Sequence, residues 1–238
     1  MNHTVTSPRL PALEWENIAD RLDREVYAVI SGLLDAETCR RLASQYDDAH
    51  RFRSRVVMAR HGFGRGEYQY FDNPLPPAIG ALRTALYPPL RHIANRWNDM
   101  LSIVDRYPET HAAYLAQCHA AGQTKPTPLL LKYEAEDYNC LHQDLYGELV
   151  FPLQAAILLS RPGADFTGGE FVMTEQRPRM QSRAMVVPLQ QGDAVIFPVR
   201  QRPVQGVKRR YRVNMRHGVS RVLSGQRFTL GLIFHDAK

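Results

Sequence analysis

The chain has 238 residues, 44% of them hydrophobic and 23% charged, and carries a formal net charge of +6. That length allows one domain, or one with an extension, and a sizeable buried core. No apolar run approaches the roughly 18 residues of a membrane span, which excludes a helical membrane protein from the expectation. Met1–Leu13 has no basic cluster followed by an apolar stretch, which argues against a secretory signal. Cys39, Cys118 and Cys140 show no paired spacing, so neither a disulfide framework nor a cysteine-rich zinc site organises the chain. A reducing cytoplasm is the simplest compartment for such cysteines.

The first 14 residues, with Pro8 and Pro11, read as a loose arm. Tyr27–Ile30 is a short β run, and Asp35 caps a helix that carries Leu42 on its apolar face. Arg55–Arg60 is a strand candidate, and His61–Gly66 a glycine-bearing turn. Pro76 and Pro77 open a helical pattern from Ala78 to Leu101, with a break expected at Pro88-Pro89. A further helix is expected from about Pro108 to Ala121.

Gly122–Pro128 then marks a boundary, separating an N-terminal strand and helical support region (1–125) from a jelly-roll catalytic core (126–238) within one integrated domain. Strands are expected at Leu129–Tyr133, Tyr138–His142, Leu153–Ser160, Glu170–Thr174, Ala184–Leu189, Ala194–Val199, Tyr211–Val219 and Phe228–His235. Eight short, turn-punctuated strands point to an α+β protein with a double-sheet jelly-roll core, a double-stranded β-helix buttressed by helices.

Charge is unevenly spread. Twelve arginines and lysines lie between Arg177 and Arg227 against a single acid, Asp193. Such a stretch suits an anionic partner, because arginine's fixed fork of donors matches phosphate and carboxylate. The same residues also suit solvated strands and loops of an arginine-rich protein.

The chemistry concentrates at His142-Gln143-Asp144. Residues i and i+2 of a strand share a face, so His142 and Asp144 can share one ion. His217, inside a later strand, is the candidate third ligand. Two histidines and a carboxylate on one side of a metal leave the other side open, as in the non-heme Fe(II) oxygenases. Arg227 follows His217 past a turn at Ser224-Gly225 and can grip a carboxylate bidentately. Tyr133 precedes His142 on a neighbouring strand and can donate a phenolic hydrogen bond to the same ligand.

With these residues in place, the sequence resembles the Fe(II)/2-oxoglutarate-dependent dioxygenases. The matching segments are KYEAEDYNCLHQD, TGGEFVM, PLQQGDAVIF and RHGVSRVLSGQRFTLGLIF. The last of these, with the opening VISGLLDAETCRRL, is similar to the prolyl 4-hydroxylase branch. LHQDLYGELVFPLQ, DFTGGEF, EQRPRMQSR and YRVNMRHGVSR more narrowly resemble a bacterial oxygenase family labelled as acting on alkylated DNA. The arginine stands nearer the distal histidine than in AlkB-type demethylases, which departs from that pattern.

The resemblance implies Fe(II) on His142, Asp144 and His217. It implies 2-oxoglutarate as cosubstrate, its far carboxylate on Arg227 with Tyr133 and Thr229 completing the pocket, and O2 as oxidant. Substrate hydroxylation, including oxidative demethylation of alkylated DNA or RNA, is the expected activity. A prolyl-type protein substrate and a small metabolite are the alternatives. A jelly-roll metal or ligand binder without turnover, or a nucleic-acid binder with a secondary metal, are readings from other classes. Of the remaining candidates, His235 and Asp236 are expected to be structural or exposed, His61 a surface residue and Cys140 a small core filler. Arg216 is expected to face away from the metal and pair with an acid, and Gln176–Arg183 to form a polar loop over the substrate or in solvent.

Overall fold

The computed structural model describes residues 13–207 and 210–238. The expected arm at 1–14 therefore falls almost wholly outside the described residues, as do Lys208 and Arg209 of the basic stretch. Helix α1 (Trp15–Arg24) buries Ile18 and Leu22 and leads to strand β1 (Ala28–Ile30). Helix α2 (Ala36–Ala43) starts where the sequence places its cap: the Asp35 carboxylate accepts the Thr38 N–H at 2.6 Å. Strand β2 (Phe52–Val57) comes next, earlier than expected, because a 3-10 turn at Met58–His61 takes up the end of that run. Strands β3 (Gly64–Arg65) and β4 (Glu67–Phe71) follow.

Helix α3 runs unbroken from Pro77 to Met100, with Pro88 and Pro89 inside it. The expected break does not occur. Each internal proline costs about 3 kcal/mol in an isolated helix. Here Leu82, Leu86, Tyr87, Leu90, Ile93, Ala94 and Trp97 are all buried along the helix, and this packing outweighs the lost backbone bonds. Helix α4 (His111–Ala120) is capped by the Thr110 hydroxyl.

The remaining strands are β5 (Leu129–Tyr133), β6 (Tyr138–His142), β7 (Leu153–Leu158), β8 (Phe166–Gly168), β9 (Phe171–Gln176) and β10 (Arg183–Val187). They continue as β11 (Ala194–Pro198), β12 (Gln201–Gln205), β13 (Arg210–Val219), β14 (Val222–Gly225) and β15 (Arg227–Leu232). All pair antiparallel.

A seven-stranded sheet has the order β1-β11-β7-β15-β5-β4-β2, and a second sheet has the order β10-β9-β13-β6-β3 with β12 also on β13. Strands β1, β2 and β4 from the first half thus extend the larger sheet, so that half supplies strands as well as helices. Short β3 and β8 carry too few residues to show an alternating pattern in the sequence.

The larger sheet is covered on both faces. On β7, Leu153, Ala155 and Ile157 pack against the helices, while Ala156 and Leu158 face the second sheet. This is why Leu153–Leu158 reads as a continuous apolar run, with Gln154 as its polar exception. The space between the sheets is filled by Val195, Phe197, Val213 and Met215 at one end and left open at the other. No described helix is long and apolar enough to cross a membrane.

Candidate functional site

The open end of the sandwich holds the predicted metal residues. His142 is the last residue of β6, and His217 stands directly opposite it on β13, their rings 4.3 Å apart. Asp144 lies two residues beyond the end of β6, so it is not on the strand face as the i, i+2 argument expects. Other contacts hold it there. The Gln143 side-chain amide donates to the carbonyls of Met215 (2.7 Å) and Arg200 (3.2 Å), which pins the chain after β6 to β13. The Asp144 carboxylate then reaches within 3.5 Å of His142 Nε2 and 3.2 Å of His217 Nε2. These ligand atoms all lie within 4.8 Å of one another, the one such cluster among the described residues.

Two residues absent from the sequence prediction orient Asp144. The Tyr146 hydroxyl donates to Oδ1 at 2.7 Å, and Gln154 Nε2 donates to Oδ2 at 2.9 Å. Gln154 had a signal in the sequence: it is the lone polar side chain in the apolar run of β7. Tyr146, in an irregular segment, had none. His142 Nδ1 donates to the Cys140 carbonyl at 2.8 Å, which fixes the ring with Nε2 turned toward Asp144.

Burial opposes the charge on His142, yet the adjacent Asp144 carboxylate holds its pKa above the ordinary value. Burial and the neighbouring His142 push His217 down. Burial also opposes ionisation of Asp144, but hydrogen bonds from both histidines keep its carboxyl well below the usual range. An anionic carboxylate between two imidazole nitrogens is the donor set that a divalent Fe, Zn or Mn ion accepts.

Arg227 opens β15 opposite Tyr133 of β5, with its guanidinium 5.5 Å from the Tyr133 ring. Thr229 shares its face and accepts from Arg227 Nη1 at 2.6 Å. Arg227 is only 1% exposed, and among the described residues no carboxylate lies within salt-bridge distance of it and its Nε has no partner. Burial accordingly lowers its pKa to about 10, against the pull of Tyr133 and Glu170. An unpaired buried guanidinium is costly, and a ligand carboxylate relieves that cost. Tyr133 is buried, and its hydroxyl accepts from Asn139 Nδ2 at 3.3 Å. One cavity of about 320 Å³ is lined by His142, Asp144, His217, Gln154, Arg227 and Thr229 together. Both a divalent iron and a dicarboxylate such as 2-oxoglutarate fit this set: three convergent donors at one end, an orphaned cation at the other.

The other expected residues resolve as follows. His235 is fully buried, and its Nδ1 accepts the Phe151 N–H at 3.2 Å; Asp236 pairs with Arg83 at 3.0 Å, so both are structural. Cys140 is exposed and lines the cavity instead of filling the core. Arg216 does face away from the metal, but no carboxylate lies within 4 Å of it among the described residues. The basic stretch does not form one surface: Arg177, Arg183 and Arg202 gather on Glu175, Arg221 pairs with Glu136, and Arg227 lies inside the cavity.

Residues 66–237 match a family described as an oxygenase catalysing oxidative methylation of damaged DNA. The chain belongs to this oxygenase family. Uncharacterized proteins of Mycobacterium tuberculosis strains CDC 1551 and H37Rv are 51% identical to the oxygenase over 167 residues, covering 70% of this chain and 72% of each relative. In fold, the oxygenase is similar to a 2OG-Fe(II) oxygenase-family oxidoreductase from Burkholderia pseudomallei. That likeness has a TM-score of 0.53 and 15% identity, covering 96% of this chain and 95% of that one. It is also similar to a Trichoplax adhaerens prolyl hydroxylase in complex with a hypoxia inducible factor peptide fragment. There the TM-score is 0.56 with 12% identity, covering 92% of this chain and 87% of that one. The oxygenase therefore has the jelly-roll fold of the 2-oxoglutarate-dependent enzymes.

Proposed function

We propose that the oxygenase uses Fe(II), 2-oxoglutarate and O2 to hydroxylate alkyl groups on damaged nucleic acid. The observation that carries this reading is the shared cavity, with the His142–Asp144–His217 cluster at one end and the unpaired, buried Arg227 at the other. His142, Asp144 and His217 hold the iron, with Gln154 and Tyr146 fixing the carboxylate that binds it. Bound there, Fe(II) supplies the activation of O2 that couples 2-oxoglutarate decarboxylation to substrate oxidation.

Arg227 pairs with the far carboxylate of 2-oxoglutarate, and Thr229 holds the guanidinium in position from the side. Tyr133 covers the same end and excludes water. On an N-methylated base the balance is simple. One oxygen atom of O2 enters the methyl group and the other enters succinate, with CO2 released. The N-hydroxymethyl product then expels formaldehyde and restores the N–H.

The nucleic-acid substrate is supported by the family description and by arginines that no carboxylate neutralises. A prolyl-type protein substrate is the second reading, favoured by the short step from His217 to Arg227. Three free cysteines suit a cytoplasmic location.

The test is succinate formation by Fe(II)-loaded protein, with and without methylated single-stranded DNA. Faster succinate with stoichiometric formaldehyde is the expected result, and His142→Ala removes both. Succinate indifferent to methylated DNA but raised by proline-containing peptides overturns the substrate in favour of the second reading. No iron-dependent succinate overturns the reading altogether.

A further inference from the structure

Nine large hydrophobic side chains are conspicuously exposed among the described residues, and four of them lie along or beside one strand: Phe63, Tyr138, Leu141 and Leu145. They lie on β6, just after Asp144, or on the turn before β3. Phe63 and Leu141 line the mouth of the catalytic cavity. Phe63 is 48% exposed yet firmly held. Its ring is stacked on His61, with centroids 5.3 Å apart and planes 23° from parallel. Its carbonyl accepts the Cys140 N–H at 2.9 Å. Gly64, at φ +127, allows the turn to lie directly on β6, since a Cβ there would sit 2.4 Å from the Tyr138 carbonyl.

The same turn carries Arg60 and Arg65, both exposed. Among the described residues no carboxylate lies within 4 Å of Arg60, and Asp137 approaches Arg65 only to 4.0 Å. The run Arg-His-Gly-Phe-Gly-Arg thus presents a rigid aromatic face between two cations, at the entrance to the site. By contrast, Arg212 and Arg216 lie on the far face of β13, because Val213, Met215 and His217 take the inner one.

We infer that the turn at residues 60–65 is the substrate-binding surface of the oxygenase: a base of a single-stranded nucleic acid stacks on Phe63 while Arg60 and Arg65 hold the adjoining phosphates. The inference rests on the nucleic-acid reading of the site. It moves the contact away from the 177–227 stretch to a segment outside it. Aromatic platforms beside cations are how proteins hold single strands without reading sequence. A base on Phe63 stands next to the cavity where the methyl group of the adjoining base reacts.

The experiment measures binding of a single-stranded oligonucleotide carrying one N-methylated base beside 2-aminopurine. The full-length protein is used, with anisotropy read across a salt series and 2-aminopurine quenching read in parallel. Phe63→Ala should weaken binding about tenfold and abolish the quenching, while Phe63→Trp retains both. The double variant Arg60→Gln/Arg65→Gln should lower the salt slope by about 1.4, the loss expected for two single-strand phosphates. Arg212→Gln/Arg216→Gln should match the parent. Parent-like binding by the Phe63→Ala and Arg60→Gln/Arg65→Gln proteins overturns the inference, as does a loss confined to the Arg212→Gln/Arg216→Gln protein. In either case binding by the parent leaves the nucleic-acid reading standing. An oligonucleotide that neither binds the parent nor stimulates its succinate formation overturns both.

Discussion

Arg202 and Arg227 lie in the same basic stretch, are 3% and 1% exposed, and end in opposite circumstances. Around Arg202 the protein supplies a carboxylate and a carbonyl: Glu175 at 2.5 Å and the Asp23 carbonyl at 2.8 Å. Around Arg227 it supplies a hydroxyl, an aromatic ring and empty space, but no carboxylate. Equal burial with unequal pairing separates a structural arginine from a binding one. The folded chain neutralises the first by itself, whereas the second is left for an anion from outside.

That contrast breaks most visibly at Arg227. Arg227→Ala should raise the 2-oxoglutarate KM by about a hundredfold or more while iron still binds, as steady-state kinetics and anaerobic metal titration will show. Arg227→Met should leave the thermal unfolding temperature unchanged or higher, because a desolvated charge without a carboxylate disappears. Arg202→Met should do the reverse. It leaves Glu175, 2% exposed, with only its more exposed partners, and should cost about 3 kcal/mol in urea unfolding without altering the 2-oxoglutarate KM.

A smaller effect sharpens the comparison at the metal end. Gln154→Leu removes the donor on Asp144 Oδ2 and should weaken divalent metal binding about tenfold, read by titration with Mn(II) in place of Fe(II).

The smallest expected effect concerns the buried Arg83–Asp236 pair. His111 beside it has a pKa lowered to about 4 by burial and by Arg83. The unfolded chain takes up that proton near pH 6.5 and the folded chain only near pH 4. The neutral ring's advantage is therefore complete above about pH 6.5 and is lost as pH falls between those values. His111 should account for about 1 kcal/mol of lost stability at pH 5.5, a component that His111→Gln removes from the pH profile.

Strand pairing explains why much of the site was legible. His142 and His217 are cross-strand partners, and Arg227 and Tyr133 are another such pair. Only β13 carries the alternation that fixes the face His217 uses; the other three were legible from residue type and spacing. Asp144 was identified for the wrong local reason: the strand ends at His142, and Gln143 and Gln154 do the holding. Long-range hydrogen bonds of this kind leave no periodic trace. The continuous α3 was misread because Pro88 and Pro89 report local propensity, whereas burial of the whole helix decided the outcome.

The sequence by itself pointed to the jelly-roll class, most of the core strands, and the residues proposed to hold the metal and the cosubstrate. These depend on alternation, turn residues and side-chain chemistry, which are local. Only the tertiary structure decided which arginines are neutralised. Neutralisation depends on Glu175, Glu136 and Asp236 arriving from distant strands or the end of the chain. It also decided that Phe63 reaches the cavity mouth. That follows from one pairing, β3 on β6, between segments more than 70 residues apart, which no pattern within either segment encodes.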